Sequence, residues 1–323
     1  MQCLWLENQQ LGIREVPVPT PAAGEALVRV RLAGVCGTDL ALQNGYYPYN
    51  GIPGHEFVGK VVRAPADSQW EGRRVVGDIN IPCHDCPACT AGRTHHCAKR
   101  TVLGIKGRHG VFAELITLPI SCLHAVPEGV SDEQAVFTEP VAAAVRVTEQ
   151  VTLTPADRVL LIGAGRLGQL IAQVLVTTGC QVHALAKHPV QRNALRERHI
   201  TLLLPEDLPH TTATTPFDVV VEATGSPAGF AEARAAVRPG GTLVLNSTYP
   251  GTAPVDLSAL VVDEITIVGS RCGPMDQALA LLADGKVDPL PMIEATYPLN
   301  NALLAFEHAR RPAAFKVLIR PPG

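Results

Sequence analysis

What this chain of 323 residues has little of narrows its function before any motif is read. Aromatic residues make up 4% of it and charged residues 18%, and the formal net charge is −3. Lys and Arg are scattered, with no basic run, so nothing draws the chain toward nucleic acid or an anionic membrane surface, and neither partner is expected. No apolar window is long enough to span a bilayer. The opening stretch MQCLWLENQQ has no basic start leading into an apolar core, so no secretory leader is expected and the protein is expected in the cytoplasm. No internal repeat occurs. The 28 Gly and 27 Pro are dispersed, which points to many tight turns and away from low complexity.

What is present is enough for a large core. Hydrophobic residues account for 46% of the chain, and its length suits two domains. Residues 1–140 read as β-rich. EALVRVRLAGV (Glu25–Val35) alternates at period two, and HEFVGKVVRA and RRVVGDINI behave similarly between Gly and Pro punctuation. After Val141 the pattern changes. VAAAVRVTEQV reads as a helix, DRVLLIGAG as strand and turn, RLGQLIAQVLVTTG as a helix ended by Gly179, and QVHALA as a strand. FDVVVEATG, GTLVLNS from Gly241 and EITIVGS from Glu264 read as further apolar strands, with AGFAEARAAVRPGG as an intervening helix. Strands alternating with helices imply a doubly wound α/β domain with a parallel sheet, expected over 141–273. MDQALALLADG then reads as a helix and AAFKVLIRP as a strand returning to the first domain, so the expected division is 1–140 with 274–323, and 141–273 between them.

Gly163, Gly165 and Gly168 form G-x-G-x-x-G in VLLIGAGRLGQLIAQVL, with Arg166 and Leu167 at the variable positions. The spacing alone is weak. Its placement after an apolar strand and at the opening of a helix makes it a dinucleotide signal. Gly163 allows the tight turn, Gly165 admits the pyrophosphate and Gly168 lets the helix pack on the strand. The next strand carries Ala186 where an acid would hold the ribose of NAD, followed by Lys187 and His188. A cation there suits a 2′-phosphate, so NAD(P) is expected, with NADP(H) favoured; the plainer reading of Lys187 is a solvated loop lysine.

Nine cysteines, four of them within seventeen residues of IPCHDCPACTAGRTHHC, imply metal or catalysis in a reducing compartment. Cys83, Cys86, Cys89 and Cys97 (C-x2-C-x2-C-x7-C) can close around one tetrahedral zinc; an iron–sulfur cluster is the alternative. His84, His95 and His96 are then spare loop residues. A second, dispersed set is Cys36, Thr38 and Asp39 in AGVCGTDLAL, His55 and Glu56 in IPGHEFVG, and Glu139 in FTEPVAAA. Cys, His and carboxylate together suit an open catalytic zinc. Each alone reads more simply as a buried thiol, a turn histidine or a surface glutamate.

The segments GVCGTDL, GHEFVG, the four-cysteine lobe, GVFAEL, TEP, GAGRLG and EATG occur in the order found in zinc-dependent medium-chain dehydrogenases/reductases. The chain resembles that family over nearly its whole length, and within it the sorbitol and threonine dehydrogenase-like branch. The resemblance implies a GroES-like catalytic domain (1–140 and 274–323) with a structural zinc lobe at about 81–100, and a Rossmann domain (141–273). It implies Cys36, His55 and Glu56 as catalytic zinc ligands, and Glu139 as a fourth, exchangeable one. Thr38 becomes the hydroxyl that meets the substrate oxygen, and the four lobe cysteines become structural zinc ligands. Thr224, Arg271 and Cys272 fall in cofactor-lining loops, and Lys316 lies where relatives place a cation near the pyrophosphate. It also implies a homodimer or homotetramer. One departure is Ala41, where many relatives carry the histidine that passes the proton to solvent. The expected activity is hydride transfer between an alcohol or carbonyl substrate and NAD(P). The competing reading is a non-catalytic NADP(H)-binding sensor or assembly protein. Tyr46, Tyr47 and Phe57 are candidate pocket residues, or packing.

Overall fold

Apolar–polar alternation over Glu25–Gly34 produces a strand that buries every second residue from Ala26 to Leu32 and then dives wholly inside. In the computed structural model, which describes residues 1–196, 198, 200–249 and 251–323 and no side chain at 212 or 213, this strand organises the first of two units. That unit comprises Met1–Glu139, Met275–Ala283 and Ile293–Gly323. Its main sheet runs Leu123–Ala125, Arg74–Gly77, Glu56–Arg63, Glu25–Gly34, Lys316–Arg320 and Ile293–Pro298, with Leu115–Pro119 also paired to Glu25–Gly34. The return strand Lys316–Arg320 is buried over its first four residues and lies antiparallel to Glu25–Gly34, Leu318 opposite Gly34. Gly34 is also opposite Glu56 on the other neighbour. The last strand of the chain is thereby brought beside the two segments that carry Cys36 and Glu56. RRVVGDINI forms two strands, Arg74–Gly77 and Asn80–Ile81, because Asp78 turns away to bond the carbonyl of Cys122 through its N–H (2.9 Å).

The second unit comprises Pro140–Pro274 and Asp284–Met292. Its sheet holds six strands, all parallel, in the order Thr201–Leu203, Gln181–Leu185, Arg158–Ile162, Phe217–Glu222, Val237–Leu245 and Thr266–Gly269. The chain reverses its direction of travel across the sheet between Arg158–Ile162 and Phe217–Glu222. In such sheets that switch point opens a crevice at the strand ends, where dinucleotides bind. Leu160, Val220 and Leu243 pack with Phe230 and Ala233 of the helix Pro227–Ala236. That helix is shorter than its sequence suggests. It stops at Ala236 because Val237 is extended and Pro239 cannot continue an α-helix, so the next strand begins at Val237, four residues before Gly241. The following strand starts at Thr266, since Glu264 sits at φ +51° in the left-handed region. Among the described residues no helix is long and apolar enough to cross a membrane.

One half-buried histidine in the first unit gives stability a pH dependence. The His124 ring lies between Asp276 (Nδ1–Oδ1 2.6 Å) and Asp78 (Nε2–Oδ2 3.2 Å). Burial pushes its pKa down, but the hydrogen bonds and charges of the two carboxylates outweigh burial and leave it raised. The folded pKa therefore exceeds the unfolded value of about 6.5. The contribution of the charged ring is complete below the unfolded value and is lost as pH rises through the folded one. His124→Asn should lower the urea midpoint most at about pH 5, with the deficit shrinking toward about pH 9. A deficit constant across that range would contradict this account.

Candidate functional site

Two stretches of the first unit converge on one group of ligand atoms. Cys36 ends the strand run and caps the helix Gly37–Gln43, and Asp39 Oδ2 accepts the Cys36 N–H at 2.9 Å. His55 and Glu56 follow a tightly packed loop. Gly54 has φ +97°, and a Cβ there would meet the Phe112 ring at 2.9 Å. Gly104 and Gly110 pack so closely on the Gly54 carbonyl that a Cβ on either would collide with it. The N–H of Val111 bonds Gly54 O (3.0 Å) and that of Phe112 bonds Pro53 O (3.1 Å), so the loop is strapped in place just ahead of His55. Tyr49, a residue the sequence did not single out, adds its hydroxyl 2.6 Å from Ile52 O and 3.0 Å from Arg108 O. Burial, then the nearby Asp39 charge, pushes its pKa up.

One ligand atom from each of Cys36, His55 and Glu56 lies within 4.8 Å of the others. His55 and Glu56 are buried, at 3% and 1% exposure. His55 Nδ1 and Asp39 Oδ1 face each other at 3.4 Å, and neither buried atom has a hydrogen-bond partner. Burial opposes a charged imidazole, yet Asp39 and then Cys36 hold the His55 pKa well above its ordinary value. A thiol, an imidazole and a carboxylate are a good zinc donor set, and a carboxylate facing the far ring nitrogen is the usual orienting partner of a metal-binding histidine. The residues present therefore fit a divalent cation. Thr38 Oγ1 lies 3.9 Å from Cys36 Sγ. Glu139 lies outside the group that converges within 4.8 Å. Burial, with the Glu56 and Asp39 charges against His55 and Lys316, raises its pKa to about 7. Lys316 is 2% exposed, bonds Glu56 Oε2 and lies 5.5 Å from the centroid of the Phe137 ring. Phe57 is core packing at 3% exposure, whereas Tyr46 and Tyr47 are exposed.

The four lobe cysteines also converge within 4.8 Å. Their sulfurs approach pairwise, Cys97 to Cys83 at 3.4 Å and Cys86 to Cys89 at 3.5 Å, and the Cys83 N–H points at Cys97 Sγ (3.4 Å). A backbone N–H at Cys89 is the main cause of a Cys86 pKa lowered to about 6. Backbone donors aimed at sulfur favour thiolates, the form a metal binds. Cys86 and Cys97 are buried, and their pKa values move down while those of Cys83 and Cys89 move up, as protons shared among touching thiols require. His84, His95 and His96 are not members of the group. His84 takes a positive φ of 61° to turn the chain between ligands.

In the second unit each glycine of the turn has its own environment. Gly163 has φ +98°, and a Cβ would fall 2.7 Å from the Ala223 carbonyl carbon; a Cβ on Gly168 would collide with Gly163 O. A Cβ on Gly165 meets nothing within 4 Å, which leaves space ahead of the helix Arg166–Val176. A helix N-terminus facing open space suits a pyrophosphate. Thr224 is held by the buried Glu222, whose Oε1 accepts from Thr224 N (2.6 Å), Thr224 Oγ1 (2.6 Å) and Ser247 Oγ (3.0 Å). Glu222 and Arg192 are functional candidates the sequence did not single out. Arg192 donates to the carbonyls of Ala186 and Lys187 (both 2.9 Å), placing its guanidinium at the end of the second strand. Lys187 pairs with Glu232 (3.2 Å), and His188 is exposed nearby. Cys272 takes φ +51°, with Arg271 Nη1 3.3 Å from its sulfur.

A sheet with a dinucleotide turn and a separate metal-competent centre define an oxidoreductase of the nicotinamide type. The comparisons agree. Residues 22–128 match the alcohol dehydrogenase GroES-like domain and residues 167–284 the zinc-binding dehydrogenase domain. D-arabinitol dehydrogenase 1 of Uromyces fabae is 32% identical over 99% of this chain and 97% of its own. A Sinorhizobium meliloti protein described as a zinc-binding dehydrogenase bound to NADP superposes with a TM-score of 0.92 at 26% identity, over 99% of both chains. The Escherichia coli CFT073 alcohol dehydrogenase rspB, complexed with NADH, also superposes with a TM-score of 0.92, at 28% identity over 99% of both. The chain belongs to the zinc-type medium-chain dehydrogenases/reductases, with a Rossmann-like and a GroES-like domain, and acts as an NAD(P)-dependent oxidoreductase on alcohol or carbonyl substrates.

The glycine geometry separates fold from cofactor. Gly165→Val should leave thermal stability nearly unchanged and weaken nicotinamide dinucleotide binding at least about tenfold, whereas Gly168→Val should destabilise by several kcal/mol, roughly as overpacking does. Calorimetry and cofactor fluorescence titration check both. Full cofactor affinity in the Gly165 variant would contradict the assignment.

Proposed function

We propose that Cys36, His55 and Glu56 form the catalytic zinc centre of this dehydrogenase, that Cys83, Cys86, Cys89 and Cys97 hold a second, structural zinc, and that Glu139 serves the catalytic metal as an exchangeable ligand. The convergence of three unlike donors, the half-buried Cys36 thiol from one stretch of chain and the buried His55 and Glu56 from another, is the observation that carries this reading. Zinc bound there would polarise a substrate oxygen and favour its ionised form near neutral pH, while a bound nicotinamide would accept or return the hydride. Asp39 orients the His55 ring and keeps its Nδ1 side occupied, so that Nε2 is the nitrogen left for the metal. Thr38 Oγ1 takes the hydrogen bond and then the proton of the substrate hydroxyl. Ala41 carries no ionisable group, so the proton leaves Thr38 by a hydroxyl or water route that does not use a side chain at that position. Glu222 fixes the Thr224 loop against the dinucleotide turn, Arg166 and Leu167 open the helix behind the pyrophosphate, and Arg271 and Cys272 line the cofactor.

NADP is the favoured cofactor, through Lys187, His188 and the guanidinium of Arg192 acting on the 2′-phosphate. Small polyols are the first substrates to test, since a relative acts, by its name, on D-arabinitol. The helix Leu257–Val262 exposes Leu257, Val261 and Val262 at 69%, 75% and 80% beside the last strand of the second sheet, an apolar patch that suits pairing with a second copy as a homodimer. A group of four free thiols and a fifth thiol at the second centre suit the reducing cytoplasm.

A panel of polyols, amino alcohols and simple alcohols, followed by nicotinamide absorbance with NAD and NADP in parallel, tests the activity. Cys36→Ser should lower turnover at least about a thousandfold while cofactor binding persists. Arg192→Ala should cost more in kcat/KM with NADP than with NAD. Unchanged turnover in Cys36→Ser protein that retains a single metal would refute the catalytic assignment.

A further inference from the structure

Among the described residues, Lys316 is the charged group at the centre that the proposed mechanism leaves without a role. Its Nζ bonds Glu56 Oε2, and the side chains of the pair are 3% and 1% exposed. The pair is fixed by backbone. Gly34 stands opposite Glu56 on one side and Leu318 on the other, and a Cβ on Gly34 would collide with the Glu56 carboxylate and lie 3.4 Å from Lys316 Cδ. The Phe137 ring closes another side, 5.5 Å from the ammonium. Neither partner has room to swing into water, so Glu56 faces Lys316 and the Cys36–His55 donors at once.

We propose that Lys316 is a positioning residue that competes with the metal for Glu56 and so keeps this carboxylate a detachable ligand. The proposal rests on the metal-centre reading above. A carboxylate has two oxygens: Oε2 is engaged by the ammonium, and Oε1 remains for a cation. A lysine charge so close also repels a divalent ion. Both effects weaken the hold of Glu56 on the metal without removing the carboxylate. A ligand held in this balance can move onto Lys316 and open a coordination position for a substrate oxygen, then return when product leaves. A buried carboxylate with no such partner would remain on the metal, because nothing else would compensate its charge. Lys316 thus acts through Glu56 and touches no reacting atom.

The test uses full-length protein with cobalt in place of zinc, reading release of the metal to EDTA and the visible absorption of the bound cobalt. Lys316→Met should release cobalt about tenfold more slowly than the parent, equivalent to ~1.4 kcal/mol. Its visible band should weaken, since a carboxylate that stays bound raises the coordination number. Lys316→Arg, which keeps the charge, should remain within about twofold of the parent. In a Glu56→Gln background, Lys316→Met should alter release by less than about twofold, because the coupling has lost its other partner. Should the methionine variant not fold, Lys316→Gln, which keeps a donor but no charge, is read in its place. Release as fast as the parent or faster, or an equal effect in the Glu56→Gln background, would overturn the proposal. A parent that takes up cobalt at the four-cysteine lobe alone would overturn the metal reading and this proposal with it.

Discussion

Burying carboxylates is the constraint on which the first unit depends. Asp39 and Glu56 are each 1% exposed, and a carboxylate withdrawn from water persists only where donors or positive charge meet it. Asp39 is met by the Cys36 N–H and the His55 ring, and Glu56 by Lys316. These partners come from three distant parts of the chain. The return strand Lys316–Arg320, the loop strapped under Gly104 and Gly110, and the capped helix after Cys36 each bring one of them into place. The sheet order of this unit is in that sense the framework of a charge arrangement. A cation bound among Cys36, His55 and Glu56 would complete it by giving His55 a reason to direct Nδ1–H at Asp39.

The two metal-competent groups use cysteine for opposite ends. In the lobe, four sulfurs from one short segment face one another and accept backbone N–H groups, so they can enclose a cation completely. Nothing is left over for a substrate. At the centre, unlike donors from separate stretches leave the coordination sphere unfinished, with Thr38 Oγ1 close to the thiol. On the proposed reading, density of ligands in the sequence marks the structural group and sparseness the chemical one.

Much of this was legible in the sequence where physics is local. Period-two burial marked Glu25–Gly34, and the spacing of Gly163, Gly165 and Gly168 marked a turn whose three glycines have three different environments. Cysteine spacing marked the lobe. Element ends were harder: the strand from Val237 begins early because a proline and an extended valine stop the helix, a contest that periodicity does not register. The dispersed centre was legible only through resemblance, since no spacing rule links Cys36 with His55 or Lys316. The resemblance places Lys316 near the pyrophosphate and says nothing of Glu56. Only the pairing of the last strand with Glu25–Gly34 reveals that it is enclosed with Glu56. Arg192 and Glu222 escaped notice because their partners are backbone groups and hydroxyls brought close by the fold.

The central claim is that an unfinished, buried zinc centre lies apart from a closed one in the same chain. Anomalous diffraction at the zinc edge from crystals of the zinc-loaded protein tests it most directly. The account predicts two peaks, one enclosed by Cys83, Cys86, Cys89 and Cys97, the other contacting Cys36, His55 and Glu56. A single peak, confined to the four cysteines in fully zinc-loaded protein, would contradict it.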